Sequence, residues 1–190
     1  MKVLLLSDRE SVNYQRVNIN AVVCEAFSST DIKLQNVIVD GDKIKPCRGC
    51  FRCWIKTPGV CILTDDGTNQ ITEWQIQADV VIVLTRITYG GYSYDIKSFL
   101  DRSIPNLSPY FASYQGEIHH KMRYARFPDV IFLGYGSSSQ TEQQTFKELT
   151  DRYALNMRPK RHSTYLINDG DDILSTVAQL KDTLVAEVKR

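Results

Sequence analysis

The segment Val80-Val81-Ile82-Val83-Leu84 is entirely aliphatic and mostly β-branched. Such a run has no polar face to turn to water. It must be covered on both sides, which is the position of a central strand in a parallel sheet. Val3–Leu6 and Val130–Leu133 are similar short apolar runs, and Lys33–Val39 and His162–Ile167 read as the two remaining strands. Between the strands, apolar residues recur at helical spacing. Val17, Ala21, Cys24 and Phe27 predict a helix over 14–27, in which Cys24 is a small core residue. Thr64-Asp65-Asp66 caps a second helix that reaches Gln77. Ile96, Phe99, Leu100 and Ile104 mark a third, and 141–155 a fourth. Ile173, Val177, Leu180, Leu184 and Val188 line the last.

Strict alternation of strand and helix predicts an α/β fold. The expected form is a doubly wound, five-stranded parallel sheet of order 2-1-3-4-5 with helices on both faces. The 190 residues hold no repeat and no linker, so one domain over 1–190 is expected. The segment 105–127, rich in Tyr and basic residues, is expected to be irregular.

A formal net charge of +1 gives no global reason to expect nucleic acid or an anionic membrane as a partner. The apolar run at the N-terminus stops after four residues, too short for a signal peptide. No stretch approaches the roughly 20 apolar residues of a membrane span. A cytoplasmic protein is expected.

Ligands of doubly wound sheets sit outside the carboxyl ends of the strands. The loops there begin at Ser7, Asp40, Thr85 and Gly134. In Ser7-Asp8-Arg9-Glu10-Ser11-Val12-Asn13, hydroxyl, amide and guanidinium groups before a helix suit a phosphate. Asp8 and Glu10 oppose one unless turned away. In Thr85-Arg86-Ile87-Thr88-Tyr89-Gly90-Gly91-Tyr92-Ser93 two glycines permit close approach of a flat ligand, with Tyr89 and Tyr92 placed to cover a ring. The plain alternative is a glycine turn with surface tyrosines. Gly134-Tyr135-Gly136-Ser137-Ser138-Ser139 lines the same ligand from the other side, or is a flexible loop with a serine cap.

Four of the five cysteines fall within fifteen residues, as Cys47-x-x-Cys50-x-x-Cys53 and Cys61. In a cytoplasmic chain such a cluster points to metal or redox chemistry rather than disulfides. The compact triplet has the spacing of bacterial ferredoxin ligands, with Cys61 near enough to be the fourth. Zinc, a C-x-x-C dithiol and a metal-free loop of reduced thiols remain alternatives. The basic groups at His119, His120, Lys121, Arg123 and Arg126, and at Arg158, Lys160, Arg161 and His162, read as solvated faces or as a docking edge for a phosphorylated nicotinamide or an acidic partner. Asp169, Asp171 and Asp172 read as caps of the last helix. The histidines form no metal or nucleophile spacing.

Pro46–Trp54, with Lys56-Thr57-Pro58-Gly59-Val60-Cys61 and Asp65-Asp66, resembles the flavodoxin-like NADPH-dependent FMN reductase superfamily, in particular its iron–sulfur flavoprotein branch. Thr85–Ser93 is similar to that family's isoalloxazine loop, and Ile96–Arg102 to the helix that follows it. The resemblance implies a flavodoxin-like fold with bound FMN. It places the ring on Thr85, Arg86, Ile87, Thr88, Tyr89, Gly90, Gly91 and Tyr92, with Gly134 and Gly136 opposite. It places the phosphate on Ser7, Arg9, Ser11 and Asn13, and a [4Fe–4S] cluster on Cys47, Cys50, Cys53 and Cys61. It further implies NAD(P)H as electron donor, a homodimer or homotetramer, and transfer of hydride or electrons to a quinone, a flavin or a carrier protein. That chemistry is the cofactor's, so no catalytic acid or base is expected. An iron–sulfur electron carrier, and a sensor module that has lost FMN, are the competing functions.

Overall fold

The computed structural model describes residues 1–188 apart from Ser29, Ser138 and Asp169, and only the backbone of Glu187 and Val188. The expectations placed on Ser138, on Asp169 as a cap and on the Val188 side chain lie outside the described residues. Among the described residues seven strands form: β1 (Lys2–Asp8), β2 (Lys33–Val39), β3 (Val80–Arg86), β4 (Leu107–Tyr114), β5 (Glu117–Met122), β6 (Asp129–Tyr135) and β7 (His162–Ile167). The helices are α1 (Ile19–Ser28), α2 (Arg52–Ile55), α3 (Thr68–Gln77), α4 (Tyr94–Arg102), α5 (Gln140–Met157) and α6 (Ile173–Val188).

Five strands pair in the order β2-β1-β3-β6-β7, all parallel, which is the expected 2-1-3-4-5 arrangement. β3 lies in the middle, and successive side chains leave it for opposite cores. Val80, Ile82 and Leu84 join Val3 and Leu5 against α1 and α6. Val81 and Val83 join Leu4 and Leu6 against α4 and α5, with Ile71 and Trp74 of α3 at the margin. This two-sided burial is why the strand carries no polar residue before Thr85.

The structure corrects the sequence reading in three places. The segment 14–18 is not helical. Tyr14 and Val17 exchange backbone hydrogen bonds of 2.9 and 2.8 Å around Gln15 and Arg16, whose φ angles are 47° and 68°. α1 starts only after Asn18, whose side chain accepts from the Ala21 N–H at 2.8 Å. The segment 105–127 is not irregular: β4 and β5 form an antiparallel hairpin of their own around Gln115-Gly116. α3 starts two residues beyond Asp66, which accepts from the Thr68 N–H instead of from a residue of a longer helix. Among the described residues no helix is long and apolar enough to cross a membrane.

Candidate functional site

β1 is paired with β2 on one side and β3 on the other, so the strand order reverses at its carboxyl end. Asp8 stands there, fully buried. Its Oδ1 accepts from the Ser11 N–H at 3.0 Å and the Tyr135 hydroxyl at 2.5 Å, and its Oδ2 from the Arg86 N–H at 2.6 Å. One carboxyl therefore fastens the ends of β1, β3 and β6. Burial raises its pKa, and the hydrogen bonds from Tyr135 and Arg86 only partly oppose this. Burial also raises the pKa of Tyr135, beside the Asp8 charge, so its hydroxyl stays a donor.

The remaining first-loop residues are tied inward. Ser11 donates to the Asp8 carbonyl at 2.6 Å, and Ser7 accepts from the Asn20 amide at 2.7 Å. Arg9 is held by carboxylates. Its Nε and Nη2 meet Asp95 at 2.9–3.2 Å, and its Nη1 meets Asp42 at 2.7 Å and Asp40 at 3.1 Å. Burial works against the Asp95 charge, but Arg9 and the Gly41 N–H hold its pKa below the usual carboxylate range. Asn13 is exposed.

After β3, Thr85 accepts from the Ser93 N–H at 2.9 Å, and the Ile87 N–H donates to the Tyr135 carbonyl at 2.8 Å. Thr88 and Gly91 exchange two backbone bonds around Tyr89 and Gly90. Gly90 has φ 77°, and a Cβ there would lie 2.7 Å from the Thr145 side chain of α5, so the turn is seated on that helix. Tyr89 is 92% exposed at the tip of the turn. Tyr92 turns the other way: its ring lies 5.8 Å from those of Phe132 and Phe146, which makes it a core residue rather than a ring cover. Ile87 is buried, and a Cβ on Gly134 would strike Phe146 at 2.8 Å, so both face the core. Gly136 lies under Tyr14 and Arg86, which a Cβ would meet at 3.2 and 3.3 Å. Arg86 in turn pairs with Glu10 at 2.5 Å on the exposed side.

The structure thus gathers Asp8, Tyr135, Arg86, Gly136 and Tyr14 at the switch point. Tyr14 carries no local signal of this role, since its spacing reads as helix, and Tyr135, which the sequence places in the loop 134–139, instead ends β6 and turns its hydroxyl to Asp8. An FMN ring can lie along the exposed Tyr89 turn. An FMN phosphate at the first loop would meet donors already committed to Asp8, together with the Glu10 charge. Ionised Asp8 opposes a phosphate there, and its burial disfavours that ionised form.

The cysteine loop lies apart from that edge. Cys47, Cys50, Cys53 and Cys61 are free thiols lining one hollow, walled by Trp54, Ile62, Leu63 and Ile104 and by Arg102 of α4. Phe51, at φ 54°, turns the chain into α2, which buries Cys53; Asn69 holds Cys61 by both its N–H and its carbonyl. Burial raises the Cys53 pKa, and the neighbouring Cys61, Cys47 and Cys50 add to the rise. Among the described residues no three Cys, His, Asp or Glu side chains are drawn into a closed ligand set. The donor chemistry nevertheless fits an iron–sulfur cluster: four soft sulfurs surround one apolar hollow, beside a buried Arg102 Nε–H that has no partner. The Tyr89 turn and this hollow stand at opposite ends of α4, whose nine residues span about 13 Å.

No protein-family profile matches the chain. An iron–sulfur flavoprotein of Methanosarcina thermophila is 26% identical over 98 residues, covering 52% of this chain and 49% of its own length. An iron–sulfur flavoprotein of Methanocaldococcus jannaschii is 31% identical over 90 residues, covering 47% and 42%. The chain thus spans about half the length of the curated relatives it matches. Among solved structures, an FMN-dependent NADH-azoreductase of Bacillus anthracis in complex with FMN superposes with a TM-score of 0.61 over 100% of this chain and 99% of its own, at 9% identity. The chain is a flavodoxin-like protein whose sequence relatives are iron–sulfur flavoproteins, and on these its resemblance to the flavodoxin-like FMN reductase superfamily stands.

Proposed function

We propose that the chain is an FMN-dependent oxidoreductase that takes electrons from NAD(P)H and passes them to a quinone, a flavin or a carrier protein. The observation that carries this reading is the four-cysteine hollow on a flavodoxin-like sheet, in a chain whose relatives are named iron–sulfur flavoproteins. Bound FMN would supply hydride acceptance and electron release. The chain's own residues would do the rest. The backbone of the turn 87–91 would support the ring, and Tyr89 would shield it. Arg86, released from its exposed pair with Glu10, would bring positive charge to the ring edge and favour the reduced, anionic flavin. Cys47, Cys50, Cys53 and Cys61 would ligate a [4Fe–4S] cluster, and the working assembly would be a homodimer or homotetramer.

The test is anaerobic purification followed by an absorbance spectrum, with FMN, iron and sulfide counted per chain and the flavin bands followed on addition of NADPH or NADH. Stoichiometric FMN that bleaches with a reduced nicotinamide is expected. Colourless protein that does not quench the fluorescence of added FMN overturns the reading. One observation favours a second function, a flavodoxin-like binding or sensor module without FMN: Asp8 and the three carboxylates around Arg9 already satisfy the first loop. Recovery of tightly bound FMN excludes it.

A further inference from the structure

Arg102 ends α4 and heads the fully buried side chains by size, with none of its side chain exposed. A buried guanidinium is costly unless its donors find acceptors. Its two terminal nitrogens do. Nη1 donates to the Lys45 carbonyl at 2.5 Å and to Asp66 Oδ2 at 2.6 Å, and Nη2 donates to the Leu63 carbonyl at 3.0 Å. These bonds pin the loops on either side of the cysteine segment to the end of α4. Nε, equally buried, has no partner. Arg102 lines the hollow of the four cysteines, whereas Asp66 does not.

We propose that the Arg102 Nε–H donates to the iron–sulfur cluster held in this hollow, and that the Arg102 cation raises the cluster's reduction potential. The inference rests on the metal reading of the cysteines made above. Reduction adds one electron, hence one negative charge, to a cluster that already carries four thiolates. A fixed cation and a hydrogen bond to sulfur both favour the more negative state, and they act here from the buried side of the hollow, where Cys53 and Arg102 lie, while Cys47 and Cys50 are exposed. Asp66 neutralises the pair as a whole, but it bonds the two Nη groups and does not line the hollow, so Nε is the donor left for the cluster.

The test uses the full chain, reconstituted anaerobically with ferrous iron and sulfide, in wild-type, Arg102→Lys and Asp66→Asn forms. Lysine keeps a cation for Asp66 but puts a methylene where Nε stood. Asp66→Asn keeps Nε and removes the counter-charge. Iron and sulfide per chain, circular dichroism and the midpoint potential of the cluster are measured for each. Equal loading is expected, with the potential shifted negative in Arg102→Lys and positive in Asp66→Asn. A loaded Arg102→Lys protein with the wild-type potential overturns the proposal while leaving the cluster reading intact. If Arg102→Lys does not fold, a potential in Asp66→Asn at or below the wild-type value overturns it. A wild-type chain that takes up neither iron nor sulfide overturns the cluster reading, and the role of Arg102 falls with it.

Discussion

Asp8 accepts three hydrogen bonds, from the ends of β3 and β6 and from the Ser11 N–H in the turn that follows β1, and is cut off from water. Asp8→Asn removes its charge but sets an amide N–H₂ against the Arg86 N–H. The loss of that acceptor should cost about 1–3 kcal/mol in urea unfolding. The same substitution removes an anion from the phosphate end and should tighten FMN binding about tenfold or more, read by flavin fluorescence. The wild-type chain should bind FMN more tightly as pH falls toward the raised Asp8 pKa, and the Asn variant should lose that dependence. Stability follows the same sign. The folded state keeps a proton on Asp8 at pH values where the unfolded chain has released it. The Asp8 contribution to stability therefore falls as pH rises from the ordinary carboxylate pKa through the raised folded one. The difference between wild type and Asp8→Asn in urea midpoints, taken across that window, isolates it.

Elements differ in how far they were legible. β1, β3 and β6 could be read because burial on both faces leaves a plain apolar signature. The β4–β5 hairpin could not. Tyr110, Phe111 and Ile118 point into solvent there, so the apolar residues do not alternate between a wet and a dry face. Tyr14–Asn18 was misread for the opposite reason: Val17 continues the helical spacing of α1 but stands exposed in a tight turn. The cap that sets the boundary is testable, since Asn18→Ala should cost about 1 kcal/mol in thermal or urea unfolding without changing flavin binding. Gly90→Ala should cost more, about 1–3 kcal/mol, since its Cβ needs both a left-handed backbone and the space of Thr145. Adding Thr145→Gly should recover the steric share and leave the backbone share, measured as a double-mutant cycle. In the candidate site, the loop positions were legible because fold class fixes where strand ends go. Which side chains meet there was not, because the bonds from Asp8 to Arg86 and Tyr135 join residues 78 and 127 positions apart.

For the molecule as a whole, the hairpin pairs only with itself, while the five parallel strands share one ladder. Native-state hydrogen exchange should therefore be slowest in β1, β3 and β6 and should reach the global unfolding limit there. β4 and β5 should exchange through a cheaper local opening. Equal protection in the hairpin and in β3 would contradict this ordering. The closure of the ligand edge by Asp8 bears on the life of the chain before any cofactor reaches it. Many binding sites leave donors bare until the ligand comes, and the empty protein is correspondingly fragile. Here an internal carboxyl group already occupies those donors, so the polypeptide finishes folding on its own account. A ligand arriving later displaces a resident instead of filling a gap, and its stabilising effect should follow mass action alone, growing with concentration from a sound starting point.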